Sequence, residues 1–139
     1  MAEAPSYTVS FYYRRVLVAV DGSELSMKAL MLAADFAMRY GSKVTVAYVK
    51  PRGSEPLGDP IAKAKERLKS MPVAVSYKYL EYDPESESPA SALVKEVIEG
   101  GYDLVIIGAR GRTALSELSI GSVALSVVVN APASVLVVR

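Results

Sequence analysis

Residues Leu104 to Asn130, LVIIGARGRTALSELSIGSVALSVVVN, constrain this chain more than any other stretch. It opens with an apolar run, Leu104 to Ile107, that stops at Gly108. A short apolar run between turn residues is the pattern of a strand buried on both faces. Gly111, Gly121 and Ser122 punctuate the next segment, and an apolar segment of helical length comes after it. Glycine tolerates positive φ, and its missing Cβ lets a ligand approach the main chain. A serine at a helix start caps free N–H groups or shares them with an anion. Strand, glycine-punctuated loop and helix N-terminus, in that order, are a recurring way of building a phosphate site.

The flanking sequence repeats the alternation of strand and helix. Val16 to Val20 is an apolar run that breaks at Asp21-Gly22-Ser23, and Ser23 is placed to cap the next helix. Leu25, Ala29, Leu32, Phe36 and Tyr40 recur at helical spacing, and Gly41 stands where a helix C-terminus wants positive φ. Val44 to Val49 is the next strand, and Pro51 to Gly58 is a loop. Asp59-Pro60 pairs a cap residue with proline at the first helical position, ahead of an apolar face of Ile61, Ala64, Leu68 and Met71. Val73 to Tyr82 alternates, with Val73, Val75, Tyr77 and Tyr79 on one face, as suits an edge strand with a wetter side. Ser88-Pro89 begins another helix, with Leu93, Val94, Val97 and Ile98 expected inward, and Gly100-Gly101 ends it. Val135 to Val138 is the last strand. The order βαβαβαβαβ, without repeat or linker, predicts one α/β domain over residues 15–139 with a mostly parallel sheet covered on both faces. Residues 1–14 read as a tail or a packing arm, since Tyr7, Val9, Phe11 and Tyr13 alternate as a strand would.

Composition narrows the functional classes. With 139 residues, 51% of them hydrophobic and 22% charged, the chain can bury a real core. A net charge of +1 gives no electrostatic reason to expect nucleic-acid or membrane binding. No apolar run approaches the ~20 residues of a membrane helix, and no signal-peptide pattern opens the chain, so a cytoplasmic location is expected. The absence of cysteine and histidine removes thiolate chemistry and the usual proton shuttle. Asn130 is the sole side-chain amide, a composition that points toward a thermophilic source.

The glycine loop is neither G-x-x-x-x-G-K-[ST] nor G-x-G-x-x-G. It is G-x2-G-x9-G-S, at Gly108, Gly111, Gly121 and Ser122. This resembles the nucleotide-binding motif of the universal stress protein family. Val16 to Ser23 is similar to that family's first strand and its acidic end, Gly111-Arg112-Thr113 to its loop centre, and Ala131 to Arg139 to its last strand. Two positions depart from the pattern: Ala114 stands where many members carry another glycine, and Arg110 fills a slot often held by histidine.

The resemblance implies a doubly wound, Rossmann-like, five-stranded parallel sheet of order 3-2-1-4-5. Doubly wound sheets bind ligands where the strand order reverses, and Asp21 and Gly108 end the two strands that flank that point. It also implies ATP or another adenine nucleotide, with Mg²⁺ or Mn²⁺ on its phosphates. Backbone groups at Val49 would take the adenine edge. Asp21 and Gly108 would lie near the ribose, and Gly111, Gly121, Ser122 and Val123 under the phosphates. Ala19, Val20, Ile107 and Arg110 complete the implied set.

Each of these residues also has a plainer reading. Asp21 could cap the first helix, or accept ribose hydroxyls, or approach a phosphate-bound metal ion. Ser122 could be an N-cap, a phosphate ligand, or both. Arg110 and Arg112 could be solvated loop charges, and Val49 could be core. In the implied order Val135 to Val138 is an edge strand apolar on both faces. Such an edge needs covering, and the same strand of a second subunit is the simplest cover, which predicts a homodimer. Three functions are open to such a chain: a regulatory, stress-response ATP-binding module with at most weak hydrolysis, a slow ATPase or nucleotidyl transferase, and a nucleotide-free dimeric scaffold.

Overall fold

The computed structural model describes residues 13–55, 58–110 and 120–139. Gly111, Arg112, Thr113, Ala114 and residues 1–12 lie outside them, and so do the expectations placed on them. Among the described residues nine elements alternate: β1 (Arg15–Ala19), α1 (Glu24–Tyr40), β2 (Lys43–Pro51), α2 (Pro60–Leu68), β3 (Val75–Tyr82), α3 (Pro89–Gly100), β4 (Leu104–Gly108), α4 (Ser122–Asn130) and β5 (Ser134–Val138). The strands form one parallel sheet in the order β3-β2-β1-β4-β5, as expected.

Alternating side chains divide the core between the two faces of the sheet. Val16, Val18, Val44, Val46, Leu104 and Ile106 point to the face covered by α1 and α2, where Met27, Leu30, Ile61 and Ala64 are buried against them. Leu17, Ala47, Val105 and Ile107 point to the other face, against Leu93 and Val97 of α3 and Ala124 and Val127 of α4. Every residue of β4 is buried, as its unbroken apolar run requires.

The helix boundaries follow their capping residues. The Ser23 hydroxyl accepts the Ser26 amide, Asp59 Oδ1 accepts the Ile61 amide at 2.9 Å, and Ser88 and Ser91 bond reciprocally. Gly41 and Gly101 end α1 and α3 in the left-handed region, with φ of 70° and 66°.

Several side chains face differently from expectation. The inward face of α1 is centred on Ser26, Met27, Ala29, Leu30, Ala33, Ala34 and Ala37, while Leu25, Leu32 and Phe36 flank it and Tyr40 is exposed. Small alanines let this helix lie close on the sheet, and the larger residues spread to the sides. Ile98 is 60% exposed, because Glu96 takes the inward position beside Val97. There Glu96 accepts hydrogen bonds from Lys78 Nζ and the Tyr102 hydroxyl, both at 2.8 Å. Met71 lies beyond α2 and packs on the core from the turn after the helix. β3 starts at Val75, and Tyr79, expected on one face with Val75 and Tyr77, is 46% exposed.

Candidate functional site

β1 and β4 are neighbours, with Val18 opposite Ile106. Beyond that register the chain diverges. After β1 it enters α1 on one face of the sheet, and after β4 it continues to α4 on the other. The crevice between the two strand ends is therefore the switch point. Ala19, Val20 and Asp21 line its β1 side, and Ile107, Gly108 and Ala109 its β4 side. Val20, Ile107 and Ala109 are buried, and Asp21 is half-buried.

The Asp21 loop is shaped by local hydrogen bonds. Asp21 Oδ1 accepts the Ser23 amide at 2.9 Å, and the Asp21 amide donates to Ser26 Oγ at 3.2 Å. Asp21 is thus not the N-cap of α1; Ser23 is, and Asp21 holds Ser23 in place. Gly22, between them, has φ of 85°. From α2, Lys63 Nζ donates to the Gly22 carbonyl at 3.0 Å.

α4 begins differently from the other helices. Its N-cap is Gly121, and Ser122 is the first helical residue, so the reading of Ser122 as N-cap is corrected. Among the described residues no side chain bonds to this cap. The first N–H groups of a helix have no acceptor within it, and the glycine cap brings no side chain of its own to those of Ser122 and Val123. The Gly121 amide donates to the Ala109 carbonyl at 2.6 Å, and the Ala109 amide donates to the Val138 carbonyl at 2.7 Å. These bonds set the start of α4 against the end of β4.

The two glycines serve by close approach rather than by left-handed backbone. Gly121 has φ of −78°, and Gly108 does not take positive φ either. A Cβ on Gly108 would lie 3.1 Å from Leu25 Cβ, and one on Gly121 would lie 3.4 Å from the Ala109 carbonyl oxygen. Gly108 is needed where α1 crosses the strand end, whereas a Cβ on Gly121 would meet Ala109 and Arg110 at ordinary contact distance.

Val49 lies in the middle of the paired part of β2, opposite Leu80 of β3. Pairing with β1 ends at Ala19–Ala47, and the Ala47 carbonyl takes the Val20 amide at 2.9 Å. Backbone groups alternate between neighbours along a strand, so those of Val49 point to the same side as Ala47, where β1 has turned away. Val49 is half-buried among Ala19, Ala47 and Leu80, so its side chain is core while its backbone faces the crevice. Arg110 is half-buried at the loop start.

Three residues near the site do not stand out in the sequence alone. Ser26 has a local signal, S-x-x-S from Ser23. Ala109 and Lys63 have none, because their contacts join segments far apart in the chain. Among the described residues no cluster of three or more His, Cys, Asp or Glu is placed to hold a metal ion. Nor is any helix there long and apolar enough to cross a membrane.

Comparison with known proteins bears on this architecture. The sequence profile of the universal stress protein family matches residues 12–139. The chain belongs to the universal stress protein family. A universal stress protein from Thermus aquaticus, from the 3' region of the QAH/OAS sulfhydrylase gene, is 29% identical over 136 residues, covering 91% of this chain and 99% of that one. A universal stress protein crystallised with cAMP superposes with a TM-score of 0.72 at 24% identity, covering 92% of this chain and 98% of that one. Another, from Archaeoglobus fulgidus in complex with dAMP, superposes with a TM-score of 0.68 at 22% identity, covering 94% and 100%. Members of this family with the same fold thus include proteins in complex with adenine nucleotides.

Proposed function

We propose that this universal stress protein is a regulatory module that binds ATP in the crevice between β1 and β4. The observation that carries the reading is the start of α4. A glycine-capped helix N-terminus is held at the switch point by the Gly121–Ala109 hydrogen bond, with no side chain among the described residues bonded to the cap. Amides with no acceptor within the helix and the positive end of the helix dipole coincide there, as an anion requires. Gly121, Ser122 and Val123 would hold the phosphates, together with Gly111 and Arg110. Asp21, beside Gly108, would take ribose hydroxyls. The Val49 backbone would take the adenine edge, with Ala19, Val20 and Ile107 as the apolar floor. Complexes of related proteins with cAMP and dAMP support the adenine nucleotide class.

A divalent ion such as Mg²⁺ or Mn²⁺ would reach this site on the phosphates, with Asp21 as its protein carboxylate. No base near the phosphates is evident among the described residues, and we expect negligible turnover. Single-turnover assays with either metal check this: fast hydrolysis abolished by Asp21→Ala would favour an enzyme instead.

The protein would act as a homodimer through β5. That strand is a sheet edge, apolar on both faces, and α4, which leads into it, exposes Leu125, Val128 and Val129. Mass spectrometry of the ligand released from freshly purified, denatured protein tests the binding reading. An adenine nucleotide at near-stoichiometric yield supports it. If none is released, and none binds on addition, the reading fails.

A further inference from the structure

We infer that Lys63 of α2 is a positioning residue for the nucleotide site, acting through the Asp21 loop; this rests on the binding site proposed above. Its ammonium reaches out of its own helix and donates to the Gly22 carbonyl at 3.0 Å, in a half-buried setting. Gly22 is the left-handed residue between Asp21 and Ser23, with φ of 85°, so its peptide orientation decides where both neighbours point. A charge-assisted hydrogen bond to that carbonyl holds the orientation more firmly than a neutral one.

The position of Lys63 is itself fixed from the edge of the sheet. α2 is preceded by its N-cap Asp59, whose carboxylate caps the helix through Oδ1 and accepts the Tyr79 hydroxyl of β3 through Oδ2. The Lys63 amide donates to the Asp59 carbonyl at 3.1 Å, so both residues belong to the first turn. That turn bridges the edge strand β3 and the Asp21 loop. On the other side of the loop, Ser26 Oγ and the Ser23 amide hold Asp21 itself. Asp21 is thus held directly by α1 and indirectly, through Gly22, by α2. A loop ordered before ligand arrives spares the ligand the cost of ordering it.

The test compares Lys63→Met and Lys63→Arg with the wild type, using Mg·ATP in calorimetric titration and amide exchange of Ser23 in the ligand-free protein. Lys63→Met should weaken ATP about tenfold. It should also speed Ser23 exchange by a similar factor, and Lys63→Arg should restore much of both. In an Asp21→Ala background the loss of affinity from Lys63→Met should largely vanish, because the two act through one loop. A full tenfold loss persisting in that background would mean direct contact with nucleotide and would overturn the positioning role. Wild type that binds ATP while Lys63→Met binds equally well, with Ser23 exchange unchanged, overturns the inference but not the site. Wild type that binds no adenine nucleotide overturns the site, and with it the role assigned to Lys63.

Discussion

The amide of Gly121 donates to the carbonyl of Ala109 at 2.6 Å, closing the glycine loop onto the end of the strand that starts it. Through this contact a helix N-terminus stands at the reversal of strand order. Gly121 carries no conformational penalty there, since φ of −78° and ψ of 165° suit any residue.

That geometry separates the two glycines. Gly121→Val should leave the ligand-free protein folded, changing its stability by no more than about 1 kcal/mol, because the first added carbon meets the described residues at ordinary contact distance. It should nonetheless abolish ATP binding by filling the space before the Ser122 and Val123 amides. Gly108→Val pushes into Leu25 at the α1 crossing and should cost about 1–3 kcal/mol by overpacking. Thermal melts with and without ATP check both. Two variants equally destabilised, or a Gly121→Val protein that still responds to ATP, would contradict the assignment.

The β5 edge makes the second prediction. Val137 lies opposite Ile107 of β4, and the outer side of β5 has no described strand of this chain beyond it in the sheet. Val137→Pro removes a ladder donor and should turn a dimer into monomer or precipitate. Light scattering reads the outcome, and a tight dimer in the variant would place the interface elsewhere.

Much of the fold is legible in the sequence because strand and helix leave different periods. The apolar runs at Val16, Val44 and Leu104, and the caps at Ser23, Asp59, Ser88 and Gly41, lie where local chemistry alone puts them. Strand order comes from resemblance, since pattern does not say which strands pair. The phase of α1 is less legible: its stripe is so wide that Leu25 and Tyr40 read as inward, although the alanines are what meet the sheet. Ile98 reads as inward because a buried Glu96 is unreadable without its partners Lys78 and Tyr102, which come from a strand and the turn after the helix. At the site, a general rule about strand ends points to Asp21 and Gly108. The glycine cap of α4 escapes a sequence reading because serine is the commoner cap, and the Lys63–Gly22 bond leaves no trace in local sequence.

The Tyr79–Asp59 hydrogen bond predicts a pH dependence. The Asp59 carboxylate pushes the Tyr79 phenol from 10.0 up to about 12, and that same hydrogen bond holds the Asp59 carboxyl below its ordinary 3.8. A raised phenol stabilises the fold fully below pH 10.0, and that contribution is lost as pH climbs through about 12. A depressed carboxyl contributes above pH 3.8 and loses its contribution as pH falls further. Tyr79→Phe should therefore lower stability at neutral pH, with the gap to wild type closing at both extremes. Urea midpoints across the pH range measure it. Parallel curves for the two proteins would show that the bond is not formed in solution.

The most direct test of nucleotide binding is the thermal shift of wild-type protein stripped of bound ligand, with Mg·ATP added. At ATP a hundredfold above its dissociation constant, binding stabilises by roughly 2.7 kcal/mol. For a domain of this size that raises Tm by roughly 5–15 °C. Asp21→Ala should show a smaller shift and Gly121→Val none. A wild-type protein whose melting temperature does not move at millimolar Mg·ATP would contradict the account and leave the fold as a scaffold for protein contacts.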